Sequence, residues 1–196
     1  MPLLLLVLPA LVVVQTSPTP LPIEHVQDLM RAIPVALIEG KRGAMRGLVL
    51  KARAGWEQAK PELRKTLPEP EVAFIDKQLK DMEKMKPAEQ GIGALGLSST
   101  LSRFQARSRK QDLLQLGRLV MAAWCGVDAG QWAPFPNVEQ GFKTLLEQDG
   151  GQHTLAGVSA QEALKRLQAG RKKHQAADTK KALKELLSFV DLFEKP

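Results

Sequence analysis

Residues 110–128 read KQDLLQLGRLVMAAWCGVD, and the spacing of their apolar side chains decides the fold class. Leu113, Leu116, Val120, Met121 and Trp124 recur at intervals of three and four, the pattern that lines one face of an α-helix. A strand would alternate apolar and polar residues, and β-branched runs with that alternation do not occur beyond the first residues of the chain.

Downstream the same period returns. The loop 129–136 carries Trp132 and Phe135 among glycine and proline. Asn137 reads as the N-cap of a short helix through Gln148, with Val138, Phe142 and Leu145 facing inward. Asp149-Gly-Gly151 breaks the chain, and Ser159 with Glu162 three residues later forms a capping-box pattern for the last helical region. That region, 160–193, is apolar at both ends and polar in the middle, which favours two helices with Asp178 capping the second.

Upstream, 23–39 reads as a helix that Pro34 should kink or end early. The segment 44–66 reads as a longer helix interrupted by Pro61. Pro70 suits the first turn of the next, with Val72, Ile75, Leu79 and Met82 on one face. Pro87 opens a further helix over 88–105, using Ile92, Leu95, Leu97, Leu101 and Phe104. The expected fold is all-α: an antiparallel bundle of about five to eight helices in one domain, 21–196, with Trp56 and Trp124 wholly or partly buried. A faint echo hints at a duplicated helical unit: Trp56 before Pro70-x-Val72 parallels Trp132 before Pro136-x-Val138.

Residues 1–20 read differently. The apolar run 3–14, LLLLVLPALVVV, leads into a proline-rich exit, and no charged side chain precedes Glu24. A bilayer-spanning helix needs about 20 apolar residues, so the run fits the apolar region of a secretory signal peptide, with cleavage after Thr16. Its positive region is weak and no A-x-A motif follows. The expectation is a periplasmic or secreted protein whose mature chain has no transmembrane span.

Chemistry-bearing motifs are few. The single cysteine, Cys125, excludes an internal disulfide and sits in an apolar context that suits a buried structural thiol. Gly91-Ile-Gly93-Ala-Leu-Gly96 matches the glycine spacing of dinucleotide sites but follows a charged helical segment rather than a strand. Close packing of a helix on its neighbour explains it better. His25, His153 and His174 are too scattered for a metal motif or a catalytic triad, and Glu24 with Asp28 reads as a solvated acidic helix start. A covalent haem site needs C-x-x-C-H, which one cysteine cannot supply, so a haem-binding alternative would rest on His174 with Met30 or Met45. No catalytic constellation emerges, and no cofactor is expected.

Charge is the other feature with a functional edge, after the apolar leader. The chain carries a net +7. Between 165 and 184 lie Lys165, Arg166, Arg171, Lys172, Lys173, Lys180, Lys181 and Lys184, opposed only by Asp178, an excess as large as that of the whole chain. A second cluster holds Arg103, Arg107, Arg109 and Lys110. Clustered cations concentrate anions and speed encounter with acidic partners, so an anionic surface, an acidic protein or a nucleic acid is the expected class of partner. A lysine-rich helix face that serves solubility is, however, the more common origin of such a run. Trp132 and Phe135 are candidate partner anchors, though rings in such a loop more often cap a bundle end. The sequence therefore suggests a non-enzymatic binding or structural module.

Overall fold

The computed structural model describes residues 22–106, 108–132, 136–148 and 154–194. The apolar leader, Phe135, Arg107, His153 and the 149–151 break lie outside the described residues. Among the described residues there are eight α-helices and no strand. They are α1 (Pro22–Ile38), α2 (Met45–Leu63), α3 (Glu69–Met82), α4 (Pro87–Ser102), α5 (Arg109–Asp128), α6 (Pro136–Gln148), α7 (Leu155–Lys172) and α8 (Ala176–Glu194), with a 3-10 turn at Arg42–Ala44. The all-α bundle expected from the spacing is the fold.

Side-chain register shows how the rods run. Gln27 meets Ser98 while Leu37 faces Gly91, so α1 is antiparallel to α4. Ser102 meets Arg118 while Gly91 faces Cys125, so α4 is antiparallel to α5. Gly117 faces Val190 and Asp128 meets Lys180, which sets α5 antiparallel to α8. Arg166 pairs with Glu185 and Gly170 abuts Thr179, so α7 and α8 form an antiparallel hairpin.

Two apolar clusters build the interior. The first joins α1 to α4 around Val26, Met30, Ile33, Trp56, Ile75, Leu79 and Leu97. The second joins α5 to α8 around Leu116, Val120, Phe142, Leu167, Leu183 and Leu186. Helix α5 serves both, giving Met121 and Cys125 to the first and Leu113, Leu116 and Val120 to the second. Trp56 is fully buried and Trp124 partly so.

Pro34 does not end α1, which runs on to Ile38. An interior proline costs roughly 3 kcal/mol. Burial of Ile33 and Leu37 beside it, at about 1.5–3 kcal/mol for each such side chain, outweighs that cost. Pro61 likewise sits within the last turn of α2 rather than breaking it. Pro70 stands in the first turn of α3 and Pro136 opens α6, with Val72 and Val138 buried behind them. Trp56, by contrast, lies inside α2 and Trp132 beyond the end of α5.

Three expected caps are displaced. α6 already begins at Pro136, so Asn137 lies within its first turn. α7 begins at Leu155, because the Thr154 hydroxyl accepts the Gly157 N–H at 3.0 Å, which leaves Ser159 inside the helix. The final region is two helices, but Asp178 stands inside the first turn of α8 rather than capping it.

Three helix ends, those of α1, α5 and α7, share one device. Lys41 N–H bonds Ala36 O and Gly40 N–H bonds Leu37 O, a Schellman motif with Gly40 at φ +76°. Gln131 and Gly130 repeat it on Gly126 and Val127, with Gly130 at φ +73°. Gln175 and His174 repeat it on Gly170 and Arg171, but here the left-handed position holds a histidine at φ 51°.

Candidate functional site

The α7–α8 hairpin carries the basic segment and divides it in two. Three of the eight cations are neutralised: Arg166 by Glu185, Arg171 by Glu139 at 3.7 Å, and Lys180 by Asp128. Lys165, Lys172, Lys173, Lys181 and Lys184 are exposed, and no carboxylate among the described residues pairs with them. Lys165 and Lys172 stand two turns apart on α7 and share a stripe, and Lys181 and Lys184, about one turn apart, share one on α8. Lys173 sits between them at the turn, so the five ammonium groups lie along one hairpin.

The turn of this hairpin is tied to the end of α5. Trp132 stacks on His174 with ring centroids 4.9 Å apart and planes 14° from parallel. Trp132 is half-buried and packs against the second cluster, the bundle-capping arrangement weighed from the sequence. Nearby, Lys180 Nζ lies 5.6 Å from the centre of the Trp124 ring. Asp128, its side chain 9% exposed, accepts hydrogen bonds from Lys180 and from Arg42 at 2.8 and 2.9 Å. One carboxylate thus links the 3-10 turn, α5 and α8.

The other nominated groups fall into structural roles. Cys125 is buried, and desolvation first, then the Asp128 charge, push its thiol up to about 12, so it is no nucleophile in the folded chain. Gly91 and Gly93 lie on α4 against Cys125 and Met82, which is the close-packing explanation of the glycine pattern, while Gly96 faces open space. Met30 and Met45 are fully buried in the first cluster, whereas the His174 ring is committed to Trp132. Among the described residues no group of three or more His, Cys, Asp or Glu side chains is placed to hold a metal. No helix there is long and apolar enough to cross a membrane.

One polar centre was not singled out from the sequence. Arg118 on α5 is 7% exposed. It donates through one terminal nitrogen to Ser102 Oγ and to Gln115 Oε1, the latter at 3.2 Å. Ser102 also accepts from Gln27 Nε2 at 3.0 Å and donates to Ser98 O at 2.8 Å. Desolvation, and then the like charge of Arg31, hold the Arg118 pKa below the usual guanidinium value. The available signal was that Arg118 is the sole charge between Leu113 and Val127.

No protein family, curated protein or solved structure matches the chain significantly. The hairpin presents five exposed ammonium groups, and the Arg118 centre a buried guanidinium. Neither arrangement supplies a nucleophile next to a base.

Proposed function

We propose that this chain is a non-enzymatic helical binding module whose α7–α8 hairpin docks on an extended anionic partner, such as an acidic polysaccharide or an anionic headgroup surface. The observation that carries this reading is the division of the basic segment. Arg166, Arg171 and Lys180 are spent on internal carboxylates, yet five lysines remain unpaired and exposed along one hairpin. Exposed lysines cost little to hold apart in water, and their combined field releases counterions when a polyanion replaces them. The apolar leader supports export, and an extracytoplasmic setting offers partners of this chemistry.

Chromatography on immobilised heparin tests the reading. The wild-type chain should be retained and should elute as salt rises, because the contact is made by screened surface charges. A variant with Lys165, Lys172, Lys173, Lys181 and Lys184 all changed to glutamine should elute at distinctly lower salt with unchanged helical circular dichroism. Equal elution of the two proteins would overturn the assignment.

A further inference from the structure

A cleft of about 270 Å³ opens between α1, α4 and α5, and a second of about 360 Å³ lies further along α4 and α5. Arg118 and Gln111 are walls of both. The Arg118 guanidinium has five N–H donors. Its hydrogen bonds use one nitrogen, and no carboxylate among the described residues pairs with it. Beside it, Gln111 Oε1 is buried without a hydrogen-bond partner; as an acceptor it calls for a donor and cannot itself hold an anion, so the charge match rests on Arg118. A guanidinium more than nine-tenths buried, with no counter-ion, is costly unless an anion joins it.

The surroundings narrow the choice of anion. Because α1 and α5 are both antiparallel to α4, they run parallel to each other, and Arg31 on α1 brings a second positive charge to Arg118. Glu24 and Asp28 also border this cleft, but Glu24 is partly exposed and Asp28 exposed, so water screens them better than it screens Arg118. Their presence disfavours a multiply charged ligand over a singly charged one. The remaining wall is mixed: Gln27 and Ser98 are polar, and Leu95, Leu114 and Met121 supply its apolar part. We infer that this cleft binds a small aliphatic monocarboxylate, its carboxylate held by the free edge of the Arg118 guanidinium and its tail laid against Leu95, Leu114 and Met121. A planar carboxylate matches the guanidinium fork, and the tail gains by leaving water. This inference is independent of the hairpin lysines, which lie on α7 and α8.

Titration of the full chain with acetate, butyrate and hexanoate, followed by the ¹⁵N side-chain signals of arginine and lysine, tests it. The Arg118 Nε–H signal should move saturably, and affinity should rise up to about fourfold per added methylene. Arg118→Gln should weaken hexanoate binding about tenfold or more, the effect of losing a charge-assisted contact. Arg31→Gln should weaken it less and removes none of the hydrogen bonds among Arg118, Ser102 and Gln27, so it serves if Arg118→Gln unfolds. An Arg118 signal unmoved by hexanoate, an affinity independent of chain length, or shifts confined to the hairpin lysines would each overturn the proposal.

Discussion

Gly91 on α4 lies so close to Cys125 on α5 that a Cβ on the glycine would stand 2.7 Å from the thiol sulfur. The contact sets how near the two helices approach, and α5 in turn joins the two apolar clusters. Gly91→Ala gains about 1 kcal/mol of helix propensity but pushes a methyl group into a filled site, where overpacking costs about 1–3 kcal/mol. The expected result is a net loss near 1 kcal/mol in urea unfolding. Gly96, on the same helix, faces open space, so Gly96→Ala should gain about 0.5–1 kcal/mol. Removing the sulfur by Cys125→Ala in the Gly91→Ala background should recover part of the loss, a coupling expected only of touching residues. Equal effects at the two glycines would show that the close approach does not constrain the bundle.

The contrast between these glycines marks where the sequence was legible. Local periodicity placed Val72, Ile75, Leu79 and Met82 on one face, and all four are buried, because a helix face is set by neighbours within two turns. Helix ends were less legible. The capping-box pattern pointed to Ser159, while the chain uses Thr154, which has no acidic partner three residues on. The left-handed position at His174 carries no glycine signal at all. Arg118 went unremarked although it is a lone charge in an apolar stretch, because its meaning depends on Ser102 and Gln27, which arrive from two other helices. Such convergence is a property of packing and leaves no mark in local spacing.

Asp76 gives the fold a defined acid sensitivity. Its carboxylate accepts from Trp56 Nε1 and Lys60 Nζ, each at 2.5 Å. Partial burial acts to raise its pKa, but the hydrogen bonds from Lys60 and Trp56, with the charges of Lys60 and Arg64, together hold it below the ordinary 3.8. A carboxylate with a depressed folded pKa stabilises the fold above its unfolded pKa, and that contribution disappears as pH falls through the folded value. Asp76→Asn should therefore cost up to about 1 kcal/mol near neutrality and progressively less below pH 3.8, the range suited to a partly exposed pair. Unfolding followed by helical circular dichroism, a signal the substitution does not itself alter, reads this. A difference between variant and wild type that stays constant into strong acid would contradict the assignment.

Asp128 should matter more than either of its cationic partners. It is nearly buried at the end of α5, where the helix dipole already disfavours a negative charge, so it depends on Arg42 and Lys180. Asp128→Ala leaves Lys180 partly buried without its counter-charge and should cost about 1–3 kcal/mol. Arg42 is largely exposed, and Arg42→Ala should cost under about 1 kcal/mol. Denaturant midpoints of the two variants test the order, which a purely superficial ion pair would not produce.

His174 holds two opposed terms at the hairpin turn. Its φ of 51° puts a side-chain-bearing residue in the left-handed region, at a cost of roughly 1–2 kcal/mol relative to glycine. Its ring recovers part of that by stacking on Trp132, an interaction worth about 0.5–1.5 kcal/mol. His174→Ala keeps the strain and loses the stack, so it should destabilise by about 1 kcal/mol. His174→Gly loses the stack but relieves the strain, as Gly40 and Gly130 do at the equivalent caps, and should lie within about 1 kcal/mol of wild type. Thermal unfolding should place glycine above alanine. The reverse order would mean that the backbone at 174 is not held in the left-handed region, and that the α7–α8 turn closes by some other geometry.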